Sequence, residues 1–547
     1  MASQLNRRQF LVRSGLAGAG LFGVASGLNI AQPSALAQIG LQNPGELSLD
    51  GLNARAQSAF QVRQRAAQIA FDRGQAVHEN NNDETFHANR AGSFHKTLPH
   101  DEFGEVDPAA YGAFLRALTT GNKDDFENIP QGGVQKLANP MAAFAYDLVG
   151  PDNYSLALPH APFLLSQESA GEMVEVYWKA LLRDVPFSDY ESDSGVDDAA
   201  SEISSLSDFR GPKADGRVTP RTLFRGNTAG DLAGPYISQF LFLPVPHGAQ
   251  EIEQRNQTTT PGINHMVDYD NWLEVQNGNL PEFNVFENQQ RYISNGRDLG
   301  EYVHQDYPGQ AFVNAALIML GNGTAFDNNN PYLTSDTMEG FVTFNITHVL
   351  NVVSGVASCA LKHAWFHKWL VNRRVRPEGF GGLVHNHLTG RRISIVGNEI
   401  LGSQAVEEAF NQHGTYLLPM AYAEGSPTHP AYPAGHATIS GACATVLKAM
   451  FDEDAAFEHP VVTNRTGGRL LPYFGDTLTI GGELNKLAAN ISLGRDFAGV
   501  HYRSDGIQGL FLGEAVALGV LEELRLTYPE QFDGFSLTTF NGEKIMI

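Results

Sequence analysis

The chain has 547 residues, 42% of them hydrophobic, enough for a large core and two or more packed layers. Its formal charge of −23 argues against a nucleic-acid or acidic-membrane partner, so any anion has to be held by a local cluster of cations. Only two cysteines occur, Cys359 and Cys443, both in apolar helical runs; they read as small core residues, with a single disulfide as the lesser alternative.

Residues 1–37 read as a targeting signal. Arg7-Arg8-Gln9-Phe10-Leu11 resembles a twin-arginine motif, a weakly hydrophobic Gly/Ala/Leu stretch follows, and Ala35-Leu36-Ala37 is a small-x-small cleavage site. The expectation is a bacterial protein exported folded, periplasmic or secreted, with a mature form starting near Gln38. Losing three arginines and no acids takes the charge from −23 to −26. No later apolar run reads as a membrane span.

Leu52 to Arg73 has helical periodicity and His78–Glu84 is a polar break. His78, His87, His95 and His100 match no common ligand spacing and, among Asn and Asp, read as solvated surface rather than a metal site. A strong helix lies between Met141 and Phe187, marked by Met173, Val176, Tyr177, Ala180 and Leu181 and ended by Val185-Pro186. Ser188 to Pro220 and His247 to Gly262 read as long polar loops. A long helix is expected from Thr337 to Asn372. Strand signals are scarce, so the fold class is mainly α: helical bundles with long loops and little sheet. The expected division is the signal, an amino-terminal helical half over residues 38–330, and a carboxy-terminal helical half over 331–547 that carries the chemistry.

Three stretches of that second half hold reactive side chains. Lys368-Trp-Leu-Val-Asn-Arg-Arg-Val-Arg376-Pro377 places Lys368 and Arg376 about 80° out of phase on an ideal helix. They can face one site only if the helix ends between them, which Pro377 favours by driving Arg376 toward extended backbone. Arg373 and Arg374 read as a basic helix end complementing the dipole. In Ser426–Ala437, His429 and His436 flank Pro430 and Pro433, which forbid a helix across the gap. A helix starts directly after, with Ile439, Ala442, Cys443, Val446, Leu447 and Met450 on one stripe, so Gly435 and His436 offer helix-start N–H groups to an anion. The third stretch, Gly494-Arg495…Gly499-Val-His501-Tyr-Arg-Ser-Asp505, spaces His501 and Asp505 one helical turn apart, letting Asp505 fix one imidazole nitrogen and leave the other as a nucleophile or ligand. Gly509 and Gly513 beyond it suggest close helix packing. Guanidinium forks, an ammonium, a helix-start N–H and two imidazoles are what a tetrahedral oxyanion needs.

These pieces resemble the vanadium-dependent haloperoxidases, particularly the algal and cyanobacterial bromoperoxidases, which share a fold and site with the type 2 phosphatidic acid phosphatases. Further similarity lies in Glu172–Phe187 and Leu223–Phe240, so the likeness runs from about residue 140 onward. The resemblance implies a vanadate cofactor and no haem, with His501 binding vanadium directly and Lys368, Arg376, Arg495 and the Gly435 N–H neutralising its oxygens. It implies His436 as acid–base where hydrogen peroxide enters and Lys368 polarising a peroxide oxygen for attack by halide. His429 and the Lys368–Arg376 interval match the bromoperoxidases, and Trp365 fits a brown-algal halide-side pocket; both point to bromide and iodide. The implied partners are peroxide, halide and a small organic acceptor, with no nucleic acid, no membrane after processing, and a homo-oligomer.

One residue departs from the pattern. Ala434 stands where the family has a serine whose hydroxyl donates to a vanadate oxygen. Two other readings use the same residues: an acid phosphatase with a phosphohistidine at His501, and a non-catalytic oxyanion-binding protein.

Overall fold

The computed structural model describes residues 49–393 and 396–547. The expected twin-arginine signal over residues 1–37, and the export it implies, lie outside the described residues. Helices of eight residues or more run in the order α1 (Leu49–Asp72), α2 (Pro108–Thr120), α3 (Gln167–Leu181), α4 (Ser194–Ser205), α5 (Tyr269–Gln276), α6 (Gly296–Gln305), α7 (Gln310–Asn322), α8 (Ile346–Phe366), α9 (Pro377–Leu388), α10 (Gln404–His413), α11 (Gly435–Met450), α12 (Ile480–Phe497) and α13 (Arg503–Arg525). Sheet among the described residues is confined to antiparallel pairs: β1 (Val245–His247) with β2 (Gln250–Ile252), β3 (Val461–Thr463) with β4 (Leu470–Pro472), and β5 (Ser536–Thr538) with β6 (Lys544–Met546). The mainly α reading holds.

The bundle is built around α11. Every residue from Ala437 to Met450 is buried, so the helix is enclosed on all sides, chiefly by α13, α8 and α12. Small residues make this possible. A Cβ at Gly441 would lie 2.1 Å from the Leu510 carbonyl oxygen, and one at Gly513 would lie 2.0 Å from that of Thr438. The backbones of α11 and α13 therefore touch. This places the starts of both helices, with Gly435 on one and the His501 loop before the other, side by side: the Ala434 N–H donates to the Asp505 carbonyl oxygen at 2.9 Å.

Several expectations are corrected. The long helix begins at Ile346, not Thr337, because the Asn345 side chain accepts from the Ile346 N–H and caps it there. Continued as a π-helical turn over His367–Asn372, it does reach the length and hydropathy of a membrane span. Half of that stretch is buried in the bundle, and Thr347, Asn351, Ser354 and Ser358 face outward. The acidic segment after Ser188 is not all loop. Asp193 caps α4 by accepting from the Val196 N–H, and Val196, Ala199, Ala200 and Ile203 keep a helical interval and are buried. The polar stretch from His247 includes part of a short hairpin.

Three of the four amino-terminal histidines, His87, His95 and His100, are not solvated surface. His87 is buried, and His95 Nδ1 lies 2.7 Å from His100 Nε2 in a half-buried pair, because the segment folds down onto α5 and α9. No cluster able to hold a metal is found among the described residues. Cys359 and Cys443 are free thiols, so the disulfide alternative falls.

Candidate active site

Lys368 owes its position to its neighbour. Trp369 is fully buried and meets Phe94 and Phe114 edge-on at centroid distances of 5.8 and 6.1 Å, pinning the π-helical turn against α2. The helix then stops at Arg373, whose left-handed φ of 33° reverses the chain, and whose guanidinium pairs with Glu84. Arg376, at φ −79° and ψ 155°, is extended and caps α9 ahead of Pro377. The ending between Lys368 and Arg376 brings both to one place. Lys368 Nζ donates to the Pro430 and Ala431 carbonyls at 2.7 Å each. Arg376 donates through Nε to the His429 carbonyl at 2.8 Å and through Nη1 to that of Val500 at 2.6 Å. Its Nη1 also lies 3.0 Å from His501 Nε2, and its Nη2 lies 2.9 Å from His429 Nδ1.

Arg495, near the end of α12, donates to the Val303 carbonyl at 2.6 Å at the last turn of α6, and its buried Nε has no protein partner. Among the described residues none of these three cations pairs with a carboxylate, although all are 5% exposed or less. Elsewhere in the core Lys96, Arg374 and Arg503 each face a carboxylate within 3 Å, whereas Arg183 and Lys448 are held by amide and carbonyl oxygens alone. Buried charge without a counter-charge is costly. The physical inference is that an anion supplies the missing charge.

His501 sits ahead of α13, not on it. Its contact with Asp505 is a capping contact: one Asp505 oxygen, Oδ2, faces both the Tyr502 N–H at 3.2 Å and His501 Nδ1 at 2.8 Å. A carboxylate only accepts, so Nδ1 carries the proton and Nε2 presents a lone pair. Burial, then Arg376, Lys368 and Arg495, hold the His501 imidazole well below its usual range, and burial with Lys368 and Arg376 does the same for His429. Both rings are neutral near pH 7. Burial and Arg376 also pull Lys368 well down, and burial pulls Arg376 to about 9 against the attraction of Asp505. Mutual depression of this kind is relieved by an anion among the cations.

Gly435 opens α11 with no side-chain cap from Ala434, leaving helix-start N–H groups without an intrahelical acceptor. Leu361 and Trp365 pack against it, each 3.3 Å from where a Cβ would stand, and the Trp365 ring lies 4.7 Å from that of His429. His436 is the wet member of the group, with a side chain 27% exposed and Nε2 2.8 Å from Asp306 Oδ1. Asp306 follows directly on α6, three residues after the carbonyl that holds Arg495.

The structure thus gathers Lys368, Arg376, Gly435, Arg495, His429, His501 and Asp505, with Trp365 and Ala434 in contact and His436 at the rim. Missed in the sequence were Asp306, an isolated acid before Tyr307-Pro308 with no motif around it, and Arg374, assigned to a helix dipole. Arg374 instead forms ion pairs with Asp505 and Glu172. The residues fit an oxyanion: three cations, an orphaned guanidinium N–H and a helix start surround an imidazole lone pair.

Beside Arg495, His304 stacks on Tyr422 at 3.8 Å between Glu301 and Glu424. Burial opposes its charge, but hydrogen bonds to both carboxylates outweigh that and push it up to about 9. A raised folded-state pKa contributes stability that is whole below the unfolded value of about 6.5 and is lost as pH rises toward 9. Thermal melts should therefore show Tm falling between pH 6.5 and 9, and His304→Gln should flatten that fall, removing about 2–3 kcal/mol at pH 6. Parallel slopes for both proteins would rule this out.

A family model described as the VCPO second helical-bundle domain matches residues 350–528. The chain is 38% identical over 522 residues to a vanadium-dependent bromoperoxidase of Ascophyllum nodosum, covering 90% of this chain and 93% of that one. It is 34% identical over 596 residues to a vanadium-dependent bromoperoxidase of Corallina pilulifera, with 91% and 99% coverage. Among solved structures it matches a homohexameric vanadate-dependent bromoperoxidase of Ascophyllum nodosum with a TM-score of 0.86 at 30% identity, over 97% of this chain and 94% of that chain.

Proposed function

The chain belongs to the vanadium-dependent bromoperoxidases, and from that premise we propose that its cation cluster holds vanadate and oxidises bromide with hydrogen peroxide. The observation that carries the site assignment is the gathering of three buried, carboxylate-free cations about His501, with Arg376 Nη1 3.0 Å from its Nε2. Lys368, Arg376, Arg495 and the Gly435 N–H would hold the vanadate oxygens and His501 Nε2 the metal. Bound vanadate supplies a Lewis acid that activates peroxide toward two-electron oxidation of halide.

The protein's own groups handle the protons and the charge. His436, partly exposed at the rim, takes a proton from incoming peroxide, and Asp306 holds its ring in place. Lys368 draws electron density from a peroxide oxygen, favouring attack by bromide. The overall reaction consumes bromide, peroxide and one proton and yields hypobromous acid and water. His429 and Trp365 wall the halide side. Iodide, more easily oxidised, is a further substrate, and released hypohalous acid halogenates small organic acceptors without a dedicated site. Self-assembly is proposed by analogy with the homohexameric relative, and export by the amino-terminal segment.

Bromination of a phenol dye should depend on added orthovanadate and be suppressed by excess phosphate. Ester hydrolysis without vanadate, and no bromination, would select a phosphatase instead. Ala434 caps α11 with a methyl group where a hydroxyl could donate to the anion. Ala434→Ser should tighten vanadate by about 1.5 kcal/mol, roughly ten-fold. Unchanged affinity and turnover in that variant would show the hydroxyl has no acceptor there.

A further inference from the structure

The mechanism above leaves one buried charge network unused. It stands directly behind His501. Arg374, 4% exposed, donates from Nη1 to Asp505 Oδ1 at 2.8 Å and to Ser504 Oγ at 2.9 Å, and from Nη2 to Glu172 Oε2 at 2.9 Å. Its guanidinium carbon lies 3.8 Å from the Tyr502 ring centroid. Glu172, on α3, in turn accepts from the Ser504 N–H at 2.5 Å and the Ser504 hydroxyl at 3.0 Å. Nη1 therefore points to the segment that directly follows His501, and Nη2 to Glu172, which holds the same segment through Ser504.

We propose that Arg374, clamped by Glu172, is a positioning residue that locks Asp505 so that His501 keeps its proton on Nδ1 and offers Nε2 to vanadate. The proposal rests on the vanadate reading of the site. The geometry divides the labour of one carboxylate. Oδ1 is taken by Arg374, and Oδ2 is left to the Tyr502 N–H and His501 Nδ1. With both oxygens committed, the Asp505 carboxylate cannot turn, and the imidazole has one fixed orientation. A planar fork spans Asp505 and Glu172 at once while resting over the Tyr502 ring, which the single ammonium of lysine would not reproduce. Arg374 offsets one of the two carboxylate charges, so the four cations Arg374, Lys368, Arg376 and Arg495 still outnumber Glu172 and Asp505.

The test compares two oxyanions on the full-length, vanadate-stripped protein. Inorganic phosphate engages the cations, whereas vanadate also draws on an imidazole ligand. Calorimetric titration of Arg374→Lys and Glu172→Gln with orthovanadate and with phosphate is expected to weaken vanadate by about 10- to 100-fold in Arg374→Lys. Phosphate should change less than about three-fold, since its contacts are the cations that remain. Glu172→Gln should show the same selective loss, smaller in size. At saturating vanadate the KM for peroxide should stay at the wild-type value, because the His436 side is untouched. Equal weakening of both anions, or a lower Tm with an unchanged vanadate-to-phosphate ratio, would overturn the proposal in favour of a merely structural role. Failure of the wild-type chain to bind vanadate would instead overturn the site reading on which it rests. Should Arg374→Lys fail to fold, Glu172→Gln carries the comparison.

Discussion

His501→Ala is expected to lower vanadate-dependent bromide oxidation by about a thousand-fold or more, a loss of about 4 kcal/mol of transition-state stabilisation. The imidazole presents a lone pair at Nε2 because Asp505 holds the proton on Nδ1, and alanine removes the proposed ligand atom while leaving the three cations. The variant should therefore still bind phosphate. That pairing is the test: a vanadate titration of bromination beside a phosphate binding isotherm. If the alanine variant keeps a tenth of wild-type turnover at saturating vanadate, His501 is not the metal ligand.

Gly513→Ala carries the largest expected effect on the scaffold. A single methyl at this position would stand 2.0 Å from the Thr438 carbonyl oxygen and 2.6 Å from the Ala442 amide nitrogen. Both are backbone atoms of α11, so no side chain can swing aside, and the helices must separate. Overpacking of this kind costs about 3 kcal/mol. The separation also parts Gly435 from the His501 loop, joined through the Ala434–Asp505 hydrogen bond, so vanadate affinity should fall with stability. Gly355→Ala is the control. It lies on the outward face of α8 with nothing within 4 Å of its Cβ, and should be neutral or gain up to about 1 kcal/mol from helix propensity. A Gly513→Ala protein that melts with the wild type would show that the two helices have room to spare.

Some of the site was legible before any fold was known, and the reasons are local. Pro377 keeps Arg376 extended at the start of α9 and Pro433 delays the next helix, so the extended backbone of Arg376 and the helix start at Gly435 followed from covalent geometry. Gly509 and Gly513 announced a close helix contact because no other residue is small enough for one. The His501–Asp505 contact was foreseen through the wrong geometry. Spacing suggested a shared helical face, whereas the structure shows a carboxylate reaching back across the start of α13.

Other features depended on partners distant in the chain. The amino-terminal histidines lie among polar residues, and polar composition reads as surface unless a neighbouring element covers it. Arg374 sits where a basic helix end needs no further explanation, and only the placement of α3 shows Glu172 facing it. Asp306 meets His436 across 130 residues.

Residue order alone determined the breaks at Pro377 and Pro433, which backbones can approach closely, and which side chains were candidates to gather round an oxyanion. Those properties depend on dihedral limits, capping and periodicity within one or two turns of chain. Tertiary structure alone decided which buried cations lack a counter-charge, which imidazole nitrogen carries the proton, and which acids stand behind His436 and His501. Electrostatics in a dry core acts across space, and the sequence records only separation along the chain.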